Sequence, residues 1–415
     1  MIQADVLVIG GGTAGSIAAI QAGRLGARTV LVEAGSQLGG TTSTGGVDFP
    51  GLFHAWGRQI IAGIGWDLVA ATAALNGDRL PDFTVPYGHQ HWRHQVRIHG
   101  GLYAAIAEEA CVKAGVQLRY YETPLSIRRA GATWRVQLAG KGTQVEVTAR
   151  QLVDCTGNAA AIALIGLPRE RDAVTQPGTL IYRLTGYRYD EADLFDMEPK
   201  AREAVKAGQL ESTDFRHSLR GFLAAGGENA THIPGADSST SELHSQTNIR
   251  GRQSLLRMMR FLKPFPGFEK LRLEKLAAEA GIRETFRIVG ETAVTVDDYT
   301  SGRKFPDAVA NSFYPIDLHD EKGIRPQPLK QGTVPTIPLS ALIPRSSRDL
   351  MVAGRCISSD RLANSALRVQ ASSMAMGQAA GAASALAVEL NVTPAKVPLP
   401  AILKALRANG AIVPE

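Results

Sequence analysis

Residues Val6 to Glu33 read VLVIGGGTAGSIAAIQAGRLGARTVLVE, and no other stretch of the chain restricts its fold as much. An apolar run, Val6 to Ile9, meets Gly10-x-Gly12-x-x-Gly15. An Ala-rich segment of helical character follows, then a second apolar run, Thr29 to Val32, that ends on an acid. Strand, glycine turn, helix, strand and acid in that order predict a parallel βαβ unit that binds a dinucleotide. Gly10 permits the tight turn, Gly12 lets the backbone approach a pyrophosphate, and Gly15 lets helix and strand close up. Thr13 and Ala14 open the helix, whose N-terminal amides face the phosphate charge. Glu33, followed by Ala34, is placed to accept hydrogen bonds from the adenosine ribose.

The same unit serves NAD and FAD, and the residues after Glu33 separate the two. AGSQLGGTTSTGGV carries the pairs Gly39-Gly40 and Gly45-Gly46 with hydroxyl residues between them, Thr41 and Thr42 first. A loop so rich in backbone N–H and hydroxyl donors suits a long ligand with two phosphates and a polyol, which is FAD. Two later stretches agree. QLVDCTGN brings Thr156 and Gly157 to the end of an apolar strand, and LMVAGR does the same for Gly354 and Arg355. Open α/β sheets bind their ligands at that edge.

A chain of 415 residues, 44% hydrophobic and 20% charged, can bury a large core and favours two domains. Its net charge of +6 is spread out, with no Arg/Lys-rich face and interleaved aromatics, so no nucleic-acid partner is expected. Cys111, Cys155 and Cys356 lie far apart and match no redox or metal spacing. The first strand starts within a few residues of Met1, which leaves no room for a signal peptide and points to the cytoplasm. The apolar run Ala375 to Val388 is built of Ala and Gly and lacks the content that drives membrane insertion. No membrane association is expected, and nothing in the sequence assigns an oligomeric state.

The glycine-rich start, LGGTTSTGGV, VDCTGN and AGRCIS…ALRVQASSMAMGQAAG together resemble the two-dinucleotide-binding-domain flavoproteins. More narrowly, they resemble the FAD-dependent oxidoreductases related to the flavin subunit of heterodisulfide reductase, and more distantly fumarate reductase and succinate dehydrogenase flavoproteins. GLFHAWGRQIIAGIGW, NIRGRQ, GIRETFRIVGE and SFYPIDLH extend the resemblance over almost the whole chain. It implies an α/β fold: a discontinuous Rossmann-like FAD-binding domain (1–50, 100–165 and 335–390) with an inserted α+β substrate domain (51–99 and 166–334), and a helical tail (391–415). It also implies a helix starting near Val369 whose N-terminus points at the pyrimidine end of the flavin. The polar residues Asn364, Ser365 and Arg368 lie just upstream, and Asp360 is a weaker candidate for a ribityl contact. Covalent relatives carry a His before the second glycine pair. Gly39 to Thr44 has none, so FAD is expected to be non-covalent.

Chemistry beyond the flavin needs groups that orient substrate and move a proton. In YPIDLH, a short alternating strand places Asp317 and His319 on one face, which reads either as an Asp-oriented His base or as a surface pair. His54, just after the second glycine pair, is a further candidate to face the flavin. Arg283 and Arg287, four apart around Glu284, share one face if the segment is helical and would bind an anion or serve as scaffold. The small face Gly377, Gly381 and Ser384 suits either helix packing or approach to the cofactor. His89, His91, His94 and His99 follow no metal-ligand motif, and no metal is expected.

No second G-x-G-x-x-G follows a strand, and there is no Cys-x-x-Cys. An internal NADPH domain and a redox disulfide are therefore not expected, and electrons must pass to or from an external partner. The resulting expectation is an oxidoreductase that moves a hydride between a small-molecule substrate and flavin N5. A flavin monooxygenase, a flavin-dependent RNA-modifying enzyme and a non-enzymatic binder on the same fold remain as alternatives.

Overall fold

In the computed structural model, which describes residues 1–86, 90–216, 218–320, 323–324 and 326–415, the βαβ unit forms at the start of the chain. Strand β1 (Ile2–Ile9) leads into helix α1 (Thr13–Arg24), which returns to β2 (Thr29–Glu33). The two strands pair in parallel from Val6↔Thr29 to Ile9↔Val32. Helix α2 (Gly100–Lys113) then feeds β3 (Gln117–Tyr120), which pairs in parallel with β2 at the sheet edge.

An antiparallel meander of three strands follows, β4 (Glu122–Ala130), β5 (Thr133–Gly140) and β6 (Thr143–Asp154). β6 pairs with β1 in parallel on one side. On the other, it holds β5 along its first part and β7 (Leu350–Val352) along its last residues. A single strand thus joins the antiparallel meander to the parallel nucleotide-binding edge.

Both faces of this sheet are buried along Val6 to Ile9, which is why that part of β1 reads as an unbroken apolar run. Val6 and Val8 enter the core under the helices, while Leu7 and Ile9 enter a second core with Trp134, Val136 and Leu138 of β5. Over the first core lies helix α3 (Gln370–Leu390), the helix expected near Val369. It crosses α1 at backbone contact distance. A Cβ on Gly377 would stand 2.1 Å from the Ala14 carbonyl oxygen, and one on Gly381 would stand 2.2 Å from that of Ala18. The small face therefore packs helix on helix, with Ser384 buried in the same interior.

Segment 51–99 contributes Phe53, Ile64, Val69 and Val96 to the core under α1 and α3, and 294–334 contributes Tyr299, Val309 and Ile316. A separate apolar cluster gathers Tyr182, Met197, Phe222, Leu255, Met258 and Phe268. It surrounds a three-stranded sheet of Gly227–Glu228, Tyr182–Thr185 and Arg272–Leu276. Ion pairs Lys275–Asp48 and Arg97–Glu228 tie this unit to the 48–97 segment. Among the described residues, no helix is long and apolar enough to cross a membrane.

Candidate active site

Helix α1 starts at Gly12 with no side chain capping its first turn, so its N-terminal amides remain for a ligand. The preceding turn needs glycine. Gly10 has φ +96°, and a Cβ on Gly15 would lie 1.8 Å from the Gly10 carbonyl oxygen. Gly12 differs, because a Cβ there would meet nothing nearer than Gly40 Cα at 3.9 Å. That open space above the amides is where a pyrophosphate fits. Glu33 caps the turn from below, accepting from Gly11 N at 2.7 Å and Gly35 N at 2.6 Å. Burial raises its pKa. The second glycine loop is laced onto the first: Gly39 N donates to Gly11 O, and Thr13 Oγ1 donates to Gly39 O and lies 3.5 Å from Thr42 Oγ1. Ala34 is exposed beside Glu33, Ala14 is buried in the first turn, and Gly354 packs its φ +97° turn near Ala14.

Other candidates for the cofactor are turned inward. Thr156 bonds Asp154 Oδ1 and caps Ala160 N, while Arg355 spends all three nitrogens on Gly157 O, Ile282 O and Asn158 Oδ1. Asn364 donates to Arg355 O at 2.9 Å, leaving its Oδ1 without a partner. Gly45 closes the loop through Gly40 O, and Gly46 abuts Ala277 and Ile181. Asp360 caps the helix Arg361–Leu367 through Ala363 N and also accepts from Val296 N, so its oxygens are committed to the scaffold and not to a ribityl chain.

A cavity of about 120 Å³ opens beside Thr41 of this loop. Its walls include Gln95, Thr179, Asn229, Arg283, Tyr314, Asp317, His319, Arg368 and Gln370. Val369 and Gln370 bring the uncapped N-terminus of α3 to it. Asp317 and His319 do meet, His319 Nε2 lying 3.2 Å from Asp317 Oδ2, although the regular strand there is only His319–Asp320. The pair is buried, which rules out the surface reading. His319 Nδ1 lies 3.2 Å from His232 Nε2, and the His319 amide donates to Gln176 Oε1. Gln176 is held by Glu284, and the Asp317 amide donates to Ser365 Oγ.

Burial, then the Arg283 charge, outweighs Asp317 and brings His319 down to about 3. Burial works to raise Asp317, but the His319 hydrogen bond and the Arg368 and Arg283 charges hold it at about 2. At neutral pH the pair is thus a carboxylate and a neutral imidazole. The carboxylate must accept, so His319 Nε2 carries the hydrogen and Nδ1 accepts from His232. An unfolded histidine binds its proton near pH 6.5, so between there and pH 3 the unfolded chain holds more protons, and stability falls as pH drops. Asp317 adds to this loss below its unfolded value of about 3.9. His319→Gln is expected to flatten the fall in urea stability between pH 7 and 4.5, by at most ~1.4 kcal/mol per pH unit. Equal falls in variant and parent would contradict this.

Two expected catalytic residues lie elsewhere. The segment of Arg283 and Arg287 is not helical; Arg287 lies in the two-residue strand Arg287–Ile288 and shares no hydrogen-bond partner with Arg283. It meets Ser359 O at 2.9 Å and Asp172 at 2.8 Å, so it is scaffold, and without a helix the spacing of four does not bring the two guanidinium groups together. His54 stacks on Phe83 at 3.7 Å in an aromatic cluster with Trp66, outside the cavity wall, and burial followed by the His94 charge lowers its pKa to about 4. His94 bonds Val85 O and His99 caps α2, while His89 lies outside the described residues. Gln370, Tyr314, Asn229, Gln176 and His232 escaped sequence reasoning. Only Tyr314 and Gln370 fell in motifs already noted, and nothing local marks the others.

Fold and site define a flavin-binding α/β enzyme. The family described as FAD dependent oxidoreductase matches residues 5–408, and the chain belongs to it. FAD is its cofactor. Similar solved structures include a geranylgeranyl bacteriochlorophyll reductase-like protein from Thermoplasma acidophilum (14% identity, 98% of this chain and 83% of that one, TM-score 0.45). The p-nitrophenol 4-monooxygenase of Pseudomonas putida matches at 12% identity over 97% of this chain and 81% of its own (TM-score 0.41). An anhydrotetracycline hydroxylase from Streptomyces rimosus matches at 17% over 45% of this chain, which is 38% of the hydroxylase (TM-score 0.33). All three likenesses are distant, and the family match alone assigns the chain. No curated protein matches in sequence.

The residues present fit FAD. The uncapped α1 amides, the open space at Gly12 and the Glu33 carboxylate suit the adenosine diphosphate half. Near the cavity, Gln370 Oε1 is a buried polar atom without a partner, as expected of a group awaiting a ring edge.

Proposed function

We propose that the chain moves a hydride between a carbon of a small polar organic substrate and flavin N5, with FAD held non-covalently. FAD, when bound, supplies the two-electron chemistry. Gly10, Gly12, Gly15, Glu33 and the Gly39–Thr42 loop would hold its nucleotide half, and Gln370 and the N-terminus of α3 its reactive end. Positive charge at that helix end favours the electron-rich state. Oxidising an alcohol or amine also releases a proton from the heteroatom. The Asp317–His319 pair takes or supplies that proton, and His232 continues the hydrogen-bonded line away from the cavity. The observation that carries this reading is the buried Asp317–His319–His232 line at a cavity that adjoins the glycine loop. The unit around Tyr182 and Met258 supplies the cover, because Thr179, Asn229 and Arg283 at its base form one wall. Within the family, the LGGTTSTGGV loop supports kinship with the flavin subunit of heterodisulfide reductase, and the sequence supports an external electron partner.

Absorption spectra before and after acid precipitation test the binding mode. Yellow supernatant and colourless pellet are expected, and a yellow pellet would mean covalent flavin. Anaerobic mixing with hydroxy acids, sugars and amines tests the reaction. One class should bleach the flavin, whereas rapid NAD(P)H-dependent oxygen uptake coupled to hydroxylation would replace this reading with a monooxygenase.

A further inference from the structure

We propose that the substrate carries a carboxylate, held by the guanidinium groups of Arg283 and Arg368; this rests on reading the cavity as the substrate site. The charged side chains on its wall are Arg283, Arg368 and Asp317, since His319 is neutral. Two cations thus face one carboxylate. Arg283 is only 8% exposed, yet among the described residues its guanidinium donates to neutral oxygens, the Pro177 carbonyl and Asn229 Oδ1 at 3.1 Å. Arg368 stands 3.9 Å from the Asp317 carboxylate, beyond hydrogen-bond distance. It makes long contacts to Gln176 Oε1 and Asp317 O, and its buried Nε has no partner. Arg216, partly buried and bonded to Asn229 O, adds a third cation whose charge interacts with Asp317.

Other arginines in the interior are treated differently. Arg257, Arg287 and Arg361 each meet a carboxylate at 2.7, 2.8 and 2.9 Å. Arg355 has an oxygen on each of its three nitrogens. Burying a guanidinium without a close counter-ion is costly, so a cavity that keeps two beside a single shared acid is built for an incoming anion. The uncapped first turn of α3 adds partial positive charge on the same wall. The wall carries one net positive charge and the Arg216 charge adds to it, so an anion is favoured. The planar carboxylate also matches guanidinium donors in pairs.

The test titrates holoenzyme anaerobically with glycolate, lactate and succinate, with lactamide and 1,2-propanediol as neutral counterparts, and with inorganic phosphate. Flavin difference spectra and calorimetry report binding. At least one carboxylate should bind tenfold or more tighter than its neutral counterpart and than phosphate. Arg283→Lys and Arg368→Gln should each weaken that carboxylate about tenfold or more while FAD content and lactamide binding stay unchanged. Equal binding of acid and amide, tighter binding of phosphate, or no carboxylate binding to fully flavinated protein would each overturn the proposal. If Arg283→Lys fails to fold, the parent's acid-to-amide ratio and Arg368→Gln still decide. Bleaching by a neutral alcohol without carboxylate binding would refute the carboxylate alone. Carboxylate binding with no compound able to bleach the flavin would instead refute hydride transfer.

Discussion

Replacing Gly15 with alanine is expected to yield protein that purifies without flavin. The added methyl would sit 1.8 Å from the Gly10 carbonyl oxygen and 2.9 Å from Cys155 Cβ. The first obstacle is backbone, so no rotamer change relieves it, and α1 must tilt away from β1. That tilt separates the amides of the first turn from the Glu33-capped loop and disturbs the contact of Gly377 with Ala14. The cost should reach the upper end of the ~1–3 kcal/mol seen for overpacking, or exceed it. Gly12→Ala is the control. Its methyl meets only Gly40 Cα at 3.9 Å, so the apoprotein should melt where the parent apoprotein does while FAD affinity falls. Flavin-to-protein ratio and melting temperature check both. A yellow Gly15→Ala protein with full flavin content would show that α1 does not need this close approach.

The second large effect is expected at His319. His319→Gln should lower kcat about 100-fold or more with FAD content intact, in the range typical for loss of a positioned proton-transfer group. Glutamine keeps a neutral donor near Asp317 but cannot pass a proton from one ring nitrogen to another. The burial of this pair brings His319 to about 3, so the parent's pH–rate profile should show no limb near 6.5 from this residue. A variant retaining kcat within a factor of three would remove His319 from the proton path. Flavin content separates that outcome from collapse of the site.

The nucleotide-binding unit was legible because its determinants are local. Gly10, Gly12, Gly15 and Glu33 lie within one strand–helix–strand turn, and the geometry they require follows from backbone sterics over a few residues. Arg283 and Arg287 misled because helical spacing has meaning only on a helix, and this segment is irregular up to the short strand Arg287–Ile288. His54 misled because chain proximity to the glycine loop is not spatial proximity to the cavity; Phe83 and Trp66 draw it into an aromatic cluster.

Local residue order was therefore sufficient to determine an FAD-binding α/β chain and the strand–helix–strand unit at its start. The cavity was decided by folding in three dimensions. Its walls bring Thr41, Gln95, Asn229, Arg283 and Gln370 to the Asp317–His319 pair, and only that pair was linked by local spacing. Whether an arginine is scaffold or ligand depends on how close an acid the packing delivers to it: Arg287 received Asp172 at 2.8 Å, and among the described residues Arg283 makes no ion pair and only faces Asp317 across the cavity.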